Sequence, residues 1–155
     1  MKTFIGFASM SGNTEDIANI LQDVLIAKGC GVVMEDLESV DAASLTEYEC
    51  IFIGAYTWGD GDLPYEAEDF VEALQDVDFT NVKAACFGSG DYAYPQFCAA
   101  ADILAETLED RGCSVFNHRL KIELSPESDE QISECRQFAQ SVYEWALTSK
   151  EIHNV

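Results

Sequence analysis

Residues 9–14 read SMSGNT: two serines, a threonine, an amide and a glycine, set between the apolar run FIGFA (4–8) and a helical pattern that begins at residue 13. The start of a helix leaves four N–H groups without intrahelical partners and carries roughly half a positive charge. The hydroxyls of Ser9, Ser11 and Thr14 and the amide of Asn13 would add donors, and Gly12 would let the backbone approach closely. That is the chemistry of a phosphate site made of neutral donors. An ordinary helix cap by Asn13 or Thr14 would use the same residue types. The triphosphate loop of nucleoside triphosphatases requires Gly-Lys-Ser/Thr, which this stretch lacks.

Two further loops carry chemistry. In YTWGDGDLP (56–64), Trp58 follows an apolar run directly and is surrounded by turn formers, Gly59, Asp60, Gly61 and Asp62. A tryptophan there could fill the core, but its neighbours belong at the surface, where a flat ring can stack on a planar ligand. In GSGDYAYPQFC (88–98), Gly-Ser-Gly-Asp-Tyr-Ala matches the looser dinucleotide fingerprint. That fingerprint should open a helix at once and be followed about 20 residues on by an acid at a strand end. Pro95 delays the helix instead, and the acid at that distance, Asp110, closes one. What remains is a second aromatic pair, Tyr92 and Tyr94.

The elements that must hold these loops follow from periodicity. Strand-like runs occupy 2–8, 31–37, 50–56, 82–88 and 113–124; helical patterns occupy 13–28, 65–75, 97–112 and 128–149, with a short helix at most over 41–48. On the first helix, Ile17, Ile20, Leu21, Val24 and Leu25 share a face, and Ser128 with Gln131 forms a capping box on the last. Strands alternating with about five helices predict an α/β domain with a doubly wound, five-stranded parallel sheet over 1–149, followed by a frayed tail over 150–155. Such sheets bind ligands outside the carboxyl ends of their strands, which places all three loops on one edge. A phosphate cradle with two aromatic walls describes a planar heteroaromatic phosphate, flavin mononucleotide (FMN).

Composition narrows the class. The 155 residues carry 29 acidic against 8 basic side chains, a net charge of −21, with no Lys or Arg between positions 29 and 82 against 14 Asp and Glu. Such a surface repels nucleic acid and anionic membrane, and serves either solubility or steering towards a basic partner. No apolar run approaches a membrane span or a signal peptide, so a cytoplasmic location is expected. The six cysteines show no CxxC pair and no paired histidine; reduced, buried thiols are expected, with no metal site.

With SMSGNT, TWGDGDLP and GSGDYAYPQFC in this order at the expected strand ends, the sequence resembles the flavodoxins over residues 1 to 149. No insertion separates the last strand from the last helix, as in the short-chain form. The strand order 2-1-3-4-5 is inherited from this resemblance rather than derived. The resemblance implies that Ser9, Met10, Ser11, Gly12, Asn13 and Thr14 hold the FMN phosphate. It places Thr57, Trp58, Gly59, Asp60 and Gly61 on one face and the N5 edge of the isoalloxazine, and Tyr94 on the other face. Backbone around Ser89, Gly90, Asp91 and Cys98 would meet the pyrimidine edge, with Tyr92 at the rim, and Phe97 is counted with the cofactor-binding residues. The implied function is that of a monomeric, low-potential one-electron carrier, cycling between semiquinone and hydroquinone. A Gly59–Asp60 peptide flip would favour the semiquinone, and Asp60, Asp62 and Asp91 would disfavour the hydroquinone anion. Implied partners are basic-surfaced redox proteins: a ferredoxin or flavodoxin–NADP reductase as donor, with pyruvate oxidoreductase, a haem monooxygenase or a desaturase among the others.

Three other readings stand beside this one. An FMN-dependent NAD(P)H or quinone oxidoreductase would need to admit a second planar substrate, which Trp58 and Tyr94 as a sandwich would obstruct. A phospho-acceptor receiver module needs an acidic pair after the first strand, where this chain has FASMSG. A dedicated activator of a metalloenzyme such as a ribonucleotide reductase would differ only in its partner.

Overall fold

Uninterrupted apolar runs make the centre of the sheet, because strands covered on both faces have no polar side to offer. β1 (Lys2–Ala8) and β3 (Cys50–Tyr56) are buried along almost their whole length, as is β4 (Lys83–Gly90). β2 (Gly31–Asp36) lies at an edge and alternates exposed with half-buried residues. The computed structural model describes residues 1–59 and 61–153, with side chains through Thr148; Asp60, Asn154 and Val155 lie outside the described residues. The strands run β2-β1-β3-β4-β5, all neighbours parallel, with β6 also paired to β4. The expected doubly wound sheet and its order are therefore present.

One strand differs. The single fifth strand expected over 113–124 is two pieces, β5 (Ser114–Val115) and β6 (Leu120–Glu123). Ala84 pairs with Val115 and Phe87 with Leu120, so two residues of β4 face four of the partner, 116–119. The cause is side-chain anchoring. Phe116 packs edge-on against Phe138 and Trp145 at 6.0 and 5.3 Å, and His118 meets the same Phe138 ring. Arg119 reaches instead for Asp102 and Glu109.

Helices cover both faces. α1 (Asn13–Ala27) and α4 (Asp129–His153) pack Ile17, Leu21, Leu25, Phe138 and Val142 against Phe52 and Phe87. α2 (Tyr65–Leu74) and α3 (Ala99–Asp110) pack Phe70, Leu74, Leu104 and Leu108 against Ile51 and Ile53. Each such side chain contributes roughly 1.5–3 kcal/mol on burial, which outweighs any single cap of about 1 kcal/mol. The stretch expected as a short helix is a 3-10 turn, Ala42–Glu47, and a second spans Leu37–Ser39. At the start of α4 the capping box is realised: Gln131 N–H donates to Ser128 Oγ at 3.0 Å, and Ser128 N–H donates to Gln131 Oε1 at 3.3 Å. The expectation of a frayed tail falls partly outside the described residues; the backbone of α4 is helical as far as His153. Among the described residues, no helix is long and apolar enough to cross a membrane.

β1 has β2 on one side and β3 on the other. The chain leaves the carboxyl ends of β1 and β3 in opposite directions, and the divergence opens a crevice there.

Candidate functional site

The loop after β1 is tied to the frame by its own short side chains. Gly12, at φ +90°, turns the chain into α1 in a left-handed conformation that any side chain would strain. Among the described residues no side chain caps this helix, so the ordinary cap by Asn13 or Thr14 is not what these residues make. Ser9 Oγ accepts from Gly12 N–H at 3.0 Å, which leaves its own hydroxyl hydrogen free to be donated. Thr14, fully buried, shares a 2.7 Å hydrogen bond with the equally buried Ser89 at the end of β4. The N–H groups of the first turn of α1 then face an opening where a Cβ on Gly12 would meet nothing within 4 Å.

The loop after β3 is a turn closed on itself. Trp58 N–H donates to Asp62 O at 2.8 Å and Asp62 N–H returns to Trp58 O at 2.9 Å. The chain reverses between them through Gly59 at φ +55° and Gly61 at φ +118°. Trp58 stands 55% exposed on this turn. Thr57 anchors its base, its Oγ1 accepting from Ala100 N–H of α3 at 3.0 Å. Asp60, expected in this site, lies outside the described residues.

The loop after β4 folds around Asp91. Its carboxylate accepts from Ala93 N–H at 2.8 Å, and its carbonyl accepts from Tyr94 N–H at 3.0 Å. This leaves the Tyr94 ring 53% exposed at the cleft. Tyr92 turns away and stacks on Phe97 at 4.2 Å between ring centres. Neither of these two rings lines the cleft. Cys98, at φ +53°, holds the start of α3 with its thiol against the carbonyls of Gly88 and Ile122. Burial pushes that thiol up to about 12, so it remains a neutral packing group. All six cysteines are buried, and none is in a disulfide.

These loops converge. One cleft, of about 170 Å³, is lined by Ser9, Met10, Ser11, Asn13 and Thr14 from the first loop, by Thr57 and Gly59 from the second, and by Ser89, Gly90, Asp91, Tyr94 and Cys98 from the third. Gly12, Trp58 and Gly61 stand outside this lining. Trp58 belongs to an adjoining hollow of about 710 Å³ that shares Met10 and Tyr56 with the cleft and is edged by Asp62, Glu66 and Glu68. Together the two offer the several hundred Å³ typical of cofactor sites. Tyr56, Gln96 and Leu124 also line the cleft, although nothing in the sequence singled them out. Tyr56 donates to Glu66 at 2.6 Å; burial, and then that carboxylate, raise its phenol well above the ordinary range, so it keeps its proton even in mild alkali. Among the described residues, no Lys or Arg lines the cleft. The donor set suits a phosphate held by backbone and hydroxyls, and two large aromatics left half in water suit a planar ring. The described residues contain no cluster of His, Cys, Asp and Glu suited to a metal ion.

The Flavodoxin family model matches residues 5–138 of this chain. Over 154 residues the chain is 47% identical to the probable flavodoxin 1 of Bacillus subtilis (strain 168), covering 98% of each. It superposes on oxidised flavodoxin 2 from Bacillus cereus with a TM-score of 0.91 at 46% identity, over 93% of this chain and 99% of that one. A short-chain flavodoxin matches with a TM-score of 0.89 at 28% identity, over 94% and 99%.

Proposed function

This chain belongs to the flavodoxin family, and on that premise we propose that it is a low-potential one-electron carrier that passes electrons from a reductase to acceptor redox proteins. Its cofactor is FMN, and it is an electron-transfer protein rather than an enzyme. When bound, the flavin supplies the redox chemistry, between semiquinone and hydroquinone in this reading, while the protein sets its affinity and electronics. The observation that carries the reading is the convergence of three loops at the point where β1 and β3 part: neutral donors at one end, half-exposed Trp58 and Tyr94 at the other.

Each region of the site has its own task. The first turn of α1, with Ser9, Ser11, Asn13 and Thr14, holds the phosphate without a cation. Trp58 and Tyr94 flank the ring and limit access of water and of a second planar substrate. Backbone at Ser89, Gly90, Asp91 and Cys98 orients the ring edge. Gly59, already at positive φ, lets the turn after β3 present either side of its following peptide at little steric cost. The carboxylates of Asp62 and Asp91 disfavour added negative charge in the cleft and so lower the second potential.

The partners in this reading are basic proteins: an NADP-dependent reductase as donor, and a haem monooxygenase, a desaturase or a similar protein as acceptor. Support comes from the net charge of −21 and from Asp62, Glu66 and Glu68 beside the cleft. We place the protein in the cytoplasm as a monomer.

The test is an anaerobic reductive titration followed by absorbance. The expected result is a bound yellow chromophore passing through a blue one-electron form. Reduction in a single two-electron step would favour an oxidoreductase, and failure to bind added FMN would end the flavin reading.

A further inference from the structure

Thr14 and Ser89 lie 75 residues apart in sequence, on α1 and β4, and meet oxygen to oxygen at 2.7 Å with both side chains out of solvent. Neither hydroxyl has a second hydrogen-bond partner among the described residues. Two hydroxyls carry two hydrogens, and a single bond between them uses one. The pair therefore keeps one unspent donor, buried but bordering the cleft that both residues line. A buried donor left unmade is costly, so something that enters the cleft should take it.

The direction of the Thr14–Ser89 bond decides where that hydrogen is. If Thr14 donates to Ser89, the spare hydrogen sits on Ser89, at the end of β4. If Ser89 donates to Thr14, it sits on Thr14, in the first turn of α1 beside the unpaired N–H groups. An anion at that helix start selects the second arrangement, since only then do the hydroxyl and the N–H groups aim at one point.

We propose that Ser89 is a positioning residue for the cofactor's phosphate: it donates to Thr14 Oγ1 and so turns the Thr14 hydroxyl hydrogen towards the phosphate. The inference rests on the FMN reading above and changes one part of it. The resemblance placed Ser89 at the pyrimidine edge through its backbone; its side chain serves the opposite end of the cofactor.

The experiment titrates the full-length apoprotein with FMN and, separately, with riboflavin, which lacks the phosphate. Ser89→Ala is expected to weaken FMN about five- to tenfold and to leave riboflavin within about twofold of wild type. Thr14→Val should weaken FMN further, and Thr14→Val with Ser89→Ala should be no weaker than Thr14→Val alone, because both act through one hydrogen. Ser89→Cys keeps the volume while replacing a good donor with a poor one, and should repeat the Ser89→Ala loss if the alanine variant melts early. Equal losses for FMN and riboflavin would overturn the proposal and return Ser89 to the ring. Additive losses in the double variant, or an unchanged FMN affinity in both Ser89 variants, would also overturn it. Wild-type protein that binds neither ligand would remove the flavin reading itself, a result separate from any of these.

Discussion

The loop after β1 and the turn after β3 border the same cleft but owe their shapes to different things. The first has one bond of its own, Gly12 N–H to Ser9, and is otherwise held by the rest of the molecule: Thr14 bonds Ser89, and Asp16 in the first turn of α1 accepts from Ser125 at 2.6 Å. The second is held by itself, through the paired Trp58 and Asp62 bonds and two glycines at positive φ. A loop whose shape is fixed from outside can present its donors at no further ordering cost, which suits affinity. A turn whose shape depends on its own backbone can rearrange without disturbing the core, which suits response to a change of charge on the ring. Affinity and potential are thus assigned to different stretches of chain, and substitutions can test that division.

The largest effect is expected from Asn13→Asp. A carboxylate at the first position of α1 stabilises the helix by about 0.3–1 kcal/mol in the apoprotein. The same charge faces the phosphate dianion and should weaken FMN on the order of 100-fold, while riboflavin is spared. A thermal melt and two fluorescence titrations check this; equal losses for both ligands would mean that the first loop does not bind through phosphate.

Gly59→Val tests the other half. Among the described residues beyond its chain neighbours, a Cβ on Gly59 would meet only Asp62 Oδ2, at 4.0 Å, so the cost is conformational rather than a clash. Holding a β-branched residue at φ +55° costs about 1–2 kcal/mol. If that cost falls on the one-electron form, the first midpoint potential drops and the second rises by the same amount, so their separation should narrow by roughly 90–170 mV, with affinity for oxidised FMN changed only a few-fold. Spectroelectrochemistry and titration together decide it. Lost affinity with an unchanged separation would reverse the division of labour.

The sequence revealed the two regions unequally. Strands β1, β3 and β4 were legible because burial on both faces leaves an unbroken apolar run, and the first loop because helix starts have a recognisable donor chemistry. The break between β5 and β6 was hidden, since the chain parts from β4 just after Phe116, whose N–H still bonds Ala84 O while its ring packs on Phe138 and Trp145, a tertiary contact that no local period encodes. Leu124 and Cys98 border the cleft at positive φ, where local rules would look for glycine or asparagine. Leu124 is held there by the 2.7 Å bond from its N–H to Gly90 O, again a contact between distant segments. Tyr56 ends an apolar run, and its place at the wall depends on Glu66, ten residues on, which holds its hydroxyl.

A smaller effect should follow from charge beside the second region. Asp62→Asn with Glu68→Gln removes two charges next to the cleft, and Glu35→Gln with Glu134→Gln removes two from exposed positions on β2 and α4. Reduction by a basic reductase at low salt should slow about threefold for the first pair and little for the second. The difference should fade as salt rises, because exposed charges are screened beyond ~10 Å at 0.1 M. Equal slowing by both pairs would leave net charge, rather than the rim of the cleft, as the determinant.

The smallest effect, that of Tyr92→Ala, sharpens the comparison within the third loop. Tyr94 lines the cleft, whereas Tyr92 is stacked on Phe97 with its N–H donating to Glu123. Removing a ring that stacks on the flavin forfeits about 0.5–1.5 kcal/mol of aromatic contact beyond its buried area, so Tyr94→Ala should weaken both FMN and riboflavin by about two- to tenfold. Tyr92→Ala leaves the backbone bond to Glu123 available and should change either affinity by less than about twofold, its cost appearing instead in the stability of the loop. Phosphate-side variants would then discriminate between FMN and riboflavin, and the Tyr94 variant would not. If Tyr92→Ala weakened FMN as much as Tyr94→Ala, the Tyr92–Phe97 stack would have to open on binding. The third loop would then belong with the turn after β3, among the parts that take their shape from the ligand.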